Sequence, residues 1–189
     1  MTGARQPSIG RFVALLLVLA FVALGAISLA GQVVTNPRIT GVDQPVLSAS
    51  SVQVGTDANT NEKDLWTYTL PAGAMPTADR GIRFTAFGTL AANANNKTLK
   101  GYFGATQCAA LSTTASGSHW EVRCIVLRTG AATQLSDGWV SIALGTQNIT
   151  VATPAETLSG AVVVKVTGQN GVAAANDIVF RGAIVEALQ

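Results

Sequence analysis

The chain has 189 residues, 48% of them hydrophobic, 12% charged and 6% aromatic, which is enough to bury the core of one domain and too poor in charge for long solvated helices. Setting aside Arg5 and Arg11, which precede an apolar stretch, leaves ten basic against ten acidic residues. A neutral chain with no Lys/Arg cluster has no electrostatic footprint for phosphate backbones, so nucleic acid is excluded as a partner.

From Phe12 to Ala30 the sequence carries no charge and follows a basic start with Arg5 and Arg11. Two readings stay open. One is a retained helix that contacts a membrane or plugs into a particle. The other is a secretory signal in which Ser28 and Ala30 are the small residues ahead of a cleavage point. Residues 1–30 are accordingly set apart as a hydrophobic helix. Residues 31–50, with Pro37, Pro45 and scattered Gly and Ser, read as a linker or stalk, and 51–189 as the folded domain, entered through a short strand at Ser51–Val54.

Beyond Asp64, turn signals recur about every 8 to 15 residues. Strands are expected near Leu65–Leu70, Gly81–Thr89, Thr98–Phe103, Trp120–Arg128, Trp139–Leu144, Asn148–Val151, Ala161–Thr167 and Ile178–Ala187. Alternation puts Trp66, Tyr68 and Leu70 on one face, as it does Ile82, Phe84 and Ala86. The same rule groups Trp120, Val122, Cys124 and Val126, then Val162, Val164 and Val166, then Ile178, Phe180 and Ile184. Many short strands with no amphipathic helix between them make the domain all-β, an antiparallel sandwich or jelly roll. Ile125, Leu127, Val179 and Val185 make several strands apolar on the second face too, which predicts self-association.

Candidate chemistry is sparse. His119 is the single histidine, and with Glu121 it offers two metal ligands on one strand face, too few for a metal site. Cys108 and Cys124 form a disulfide that staples the Gly104–Trp120 connection if the domain is exported, and stay free thiols if it assembles in cytosol. The run from Asp57 to Asp64 has alternating oxygen ligands but lacks the Gly and the bidentate Glu of a calcium loop, so it reads as a polar turn. Asn96-Lys97-Thr98 and Asn148-Ile149-Thr150 match the glycosylation triplet, a short pattern in a chain rich in Asn and Thr. The sequence has no phosphate loop, no dinucleotide fingerprint and no nucleophile elbow. No catalytic, cofactor or metal residue is assigned. The polar segments Asn93–Lys97 and Gly104–His119 are candidate ligand-facing loops, with Asn93, Asn95, Asn96 and His119 as their contact residues.

Three motifs follow one another: Trp66 to Pro71 (WTYTLP), Ala86 to Thr98 (AFGTLAANANNKT) closing at Tyr102 to Gly104, and Arg128 to Gln134 (RTGAATQ). In this order they resemble a β-sandwich domain of structural proteins in tailed bacteriophages, over roughly residues 50 to 189. The resemblance implies a virion protein without enzymatic activity, of tail-fibre, head-fibre or decoration type. It further implies a homotrimer that contacts other virion proteins. The alternative expectation is a membrane-anchored or secreted module of a bacterial host that binds a surface glycan or receptor.

Overall fold

The computed structural model describes residues 45–189 apart from Leu144. The apolar segment Phe12–Ala30 and most of the expected stalk lie outside the described residues. Gln44–Gln189 forms one compact unit, and among the described residues no helix is long and apolar enough to cross a membrane.

Eleven strands build it: β1 (Val46–Ser50), β2 (Val54–Gly55), β3 (Lys63–Leu70), β4 (Gly81–Leu90), β5 (Lys97–Phe103), β6 (Thr106–Thr113), β7 (His119–Gly130), β8 (Thr133–Ile142), β9 (Thr146–Ala152), β10 (Val162–Asn170) and β11 (Ile178–Leu188). They form two antiparallel sheets. Sheet A runs β1-β11-β4-β7-β8-β9, with β2 also on β11; sheet B runs β3-β10-β5-β6. The domain is thus an all-β two-sheet sandwich.

The expected inward rows meet between the sheets. Ile82, Phe84, Ala86, Trp120, Val122, Cys124 and Val126 from sheet A face Trp66, Leu70, Val162, Val164 and Val166 from sheet B, all buried, with Trp66 and Phe84 ring centroids 6.3 Å apart. Each large side chain removed from water there contributes about 1.5–3 kcal/mol. The sheets also approach closely at their small residues. A Cβ at Gly138 of β8 would stand 1.7 Å from the Cys108 carbonyl oxygen of β6, so only glycine admits that strand.

The structure corrects the sequence reading in four places. The stalk ends earlier than residue 50, because Val46–Ser50 already pairs with β11; of the expected strand Ser51–Val54, only Val54 is strand, in β2. The Gly104–His119 loop holds a whole strand, β6, whose Cys, Ala and Ser residues have weak strand propensity. β8 begins at Thr133, six residues before the expected start at Trp139. Finally, Ile184 is 40% exposed while Val185 is fully buried. A bulge between Phe180 and Gly182 inserts one residue into β11, which reverses the parity of everything after it.

Candidate functional site

Three groups of polar or exposed side chains stand out, one buried and two at the surface. The buried one lies where the Ala91–Asn96 turn enters β5. Lys97 occupies an inward position in the row Lys97, Leu99, Gly101, Phe103 and is fully buried. Its Nζ donates to the Asn93 carbonyl at 3.0 Å, Asn93 Oδ1 at 2.8 Å, the Asn95 carbonyl at 2.9 Å and the Ala115 carbonyl at 3.4 Å. The Nδ2 groups of Asn93 and Asn95 in turn donate to the two carboxylate oxygens of Asp177, at 2.7 and 2.8 Å. Asp177 is itself 1% exposed. The cluster thus links a buried cation to a buried anion through the Asn93 side chain and through the backbone carbonyl and side-chain amide of Asn95, and both charged groups are hydrogen-bonded, as burial of charge demands.

The side-chain amides of Asn93 and Asn95, both half-buried, are thus engaged with Asp177 and hold the turn. Asn96 is exposed, and its carbonyl accepts from Gly171 N–H at 2.7 Å. His119 is exposed at the start of β7, with its carbonyl accepting from Ala143 N–H. The four residues do not converge on one pocket. The sequence signal for Lys97 was present in the parity of β5, which places a lysine in register with Leu99 and Phe103.

The second group covers sheet B's outer surface. The Glu62 carboxylate accepts from Lys100 Nζ at 2.5 Å, Thr167 Oγ1 at 2.6 Å and Tyr102 Oη at 3.0 Å. Burial alone would raise the Glu62 pKa, but the hydrogen bonds from Lys100, Thr167 and Tyr102 outweigh it and hold the carboxyl below its ordinary value. The bond to Glu62 raises Lys100, and partial burial followed by the same carboxylate raises Tyr102. Beside them Lys165 pairs with Asp64 at 2.9 Å and lies over the Tyr102 ring. In the Asp57–Asp64 segment the acidic and amide groups take separate partners: Asp57 takes Lys63 at 2.6 Å, and Asn59 Oδ1 takes Asn61 N–H at 2.9 Å. Among the described residues no three of His, Cys, Asp and Glu come together as a metal site.

The third group is the outer surface of sheet A, which is more apolar. Phe87, Leu127, Leu135, Ile149, Val151 and Ile184 are each at least 36% exposed. The same face carries the Arg83–Glu186 ion pair, at 2.8 Å, and Arg123 stacked 5.0 Å over the Trp139 ring. Arg83, Phe87, Glu121, Arg123 and Glu186 line a shallow depression there. His119 and Glu121 share this face by parity, and Glu121 is the one that reaches the depression.

The sequence cysteines are joined. Cys108 and Cys124 form a disulfide with Cα atoms 6.2 Å apart. Cys108 sits on β6 and Cys124 on β7, so the bond ties sheet B to sheet A across the core, and a Cβ at Gly101 would stand 3.1 Å from Cys124 Sγ and crowd it. What reads in sequence as a loop staple is an inter-sheet bolt, because the intervening residues are a strand. Of the two glycosylation triplets, Asn96 presents an exposed side chain, while Asn148 donates to the Ala110 carbonyl of β6 at 2.7 Å.

Compared with known proteins, the chain matches no family model and no curated sequence.

Proposed function

We propose that this chain is a non-enzymatic structural protein of a bacteriophage virion, displaying a jelly-roll domain on the particle in a fibre, spike or decoration role and associating with copies of itself. The observation that carries the reading is the strand order. β2-β11-β4-β7 opposite β3-β10-β5-β6 is the order obtained when one long hairpin is wrapped into two interleaved Greek keys, the jelly roll of capsid and lectin domains. The β8–β9 hairpin widens one sheet beyond that frame. The motif order Trp66 to Pro71, Ala86 to Thr98 and Arg128 to Gln134 supports the same reading. Peptide mass spectrometry of density-banded particles tests it. Peptides from residues 45–189 at a stoichiometry comparable to other virion proteins are expected, and their absence from intact particles refutes the role.

A second reading, a receptor- or glycan-binding module, is favoured by the outer surface of sheet A, where Phe87 is 50% exposed and Arg123 covers the Trp139 ring. Sugars stack on aromatic faces. It expects host-surface binding that Trp139→Ala removes; a glycan array or host-cell assay without any binding refutes it.

A further inference from the structure

We infer that the partner of strand β9 is β9 of a second copy, paired antiparallel about a two-fold axis at Ile149, so that the two sheets A become one continuous sheet. The inference deepens the self-association in the proposed function, but it rests on the geometry of this edge and holds for any particle or compartment.

A sheet edge left open is a template for another strand, and proteins blunt it with charges, prolines or bulges. The described edges differ sharply in this respect. β3 carries Lys63 and Asp64 and a bulge opposite Val166/Thr167; β6 carries a bulge at Cys108, opposite Gly101/Tyr102; β1 is broken between Val46 and Ser48. β9, with the sequence TQNITVA, has no charge and no proline, and its register against β8 is unbroken from Thr146 to Ala152. Ile149 and Val151 are 67% and 69% exposed.

The direction of its free backbone groups follows from the ladder. Arg128 N–H donates to the Arg80 carbonyl, so even-numbered residues of β7 bond towards β4 and odd-numbered ones towards β8. In β8 the odd residues therefore answer β7 and the even ones face β9. The bond from Gln134 N–H to the Pro154 carbonyl continues that register. In β9, residues 146, 148, 150 and 152 are thus bonded to β8. Residues 147, 149 and 151 turn their N–H and C=O groups outward, and among the described residues no strand meets them.

Those three residues are symmetric about Ile149. Antiparallel pairing there sets Ile149 opposite its own copy and Gln147 opposite Val151, so each free N–H and C=O in both strands finds a partner. On the outer face, each Ile149 already lies directly opposite Trp139 of its own β8. The pairing therefore joins two apolar rows end to end. A folded part carrying equal numbers of acidic and basic residues adds little self-repulsion, and like charges are absent from the strand itself.

The test is site-directed cross-linking of the full-length chain in mild detergent. Residues directly opposite in a hydrogen-bonded antiparallel pair have Cα atoms about 5.5 Å apart, within disulfide range. Ile149→Cys is expected to give a disulfide-linked dimer on a non-reducing gel, whereas Ile184→Cys, exposed on the same face but four strands further in, stays monomeric. The native cysteines are already joined and do not compete. Ile149→Lys, which sets two ammonium groups face to face, is expected to raise the concentration for half-dimerisation about tenfold or more in sedimentation, with an unchanged Tm for the domain. No cross-link at Ile149→Cys, equal cross-linking at Ile184→Cys, an unshifted midpoint for Ile149→Lys, or a sedimenting mass of three chains each overturns the inference.

Discussion

The Lys97 cluster and the Glu62 cluster are assembled from similar parts, a lysine, a carboxylate and neutral hydrogen-bonding side chains, and they differ in where the water is. At Lys97 both charges are sealed off and communicate through Asn93 and Asn95. At Glu62 the carboxylate lies on the outer surface of sheet B and touches Lys100 directly. The shorter contact is the weaker one energetically, because solvent screens it and competes for it, while the buried charges have no alternative partner.

That contrast breaks most visibly at Lys97. Lys97→Met leaves Asp177 buried without a cation and takes the donor from Asn93 Oδ1 and the Asn93 and Asn95 carbonyls, and the expected loss is roughly 3–5 kcal/mol by chemical denaturation. A loss under about 1 kcal/mol would mean that water replaces the ammonium and the cluster is not sealed. Next in size is the inter-sheet bolt. Cys108→Ala with Cys124→Ala removes a cross-link closing a 16-residue separation, and its expected cost is about 3 kcal/mol. A wild-type melting temperature insensitive to reductant would show the bond to be dispensable.

Smallest is Glu62→Gln, expected to cost no more than about 1 kcal/mol at neutral pH. The sharper readout is pH. Since folding lowers the Glu62 pKa, its contribution is complete above the ordinary carboxylate range and disappears as pH falls through the lowered value. The stability gap between wild type and Glu62→Gln should therefore close on acidification. Lys100, raised by the same contact, loses its contribution only at alkaline pH, as pH climbs through its raised value. A gap that persists at low pH would place the effect of Glu62 in packing and not in charge.

How much of this was legible in the sequence depends on whether alternation survives along a strand. Where it does, as in Ile82 to Ala86 and Trp120 to Val126, the buried rows follow from a period of two. In β11 the bulge at Arg181 is invisible in residue types, so Ile184 and Val185 exchange places. β6 escapes because Cys108, Ala109 and Ala110 are buried or half-buried by the approach of Gly138, a tertiary fact that no local propensity encodes. The engagement of Asn93 and Asn95 with Asp177 was hidden for a related reason. Asn-rich turns look solvated, but the acceptor that draws these two amides inward, Asp177, lies 82 to 84 residues away along the chain.

The place of β11 in sheet A bears on the order in which the chain is made. Ile178–Leu188 is the last described strand to leave the ribosome, yet it sits between β1 and β4, two of the earlier ones. Until it emerges, β1 and β2 have no neighbour and β4 has one open side, so the sandwich cannot close during synthesis. A chain interrupted before Ile178 would expose that vacant slot and the apolar row behind it.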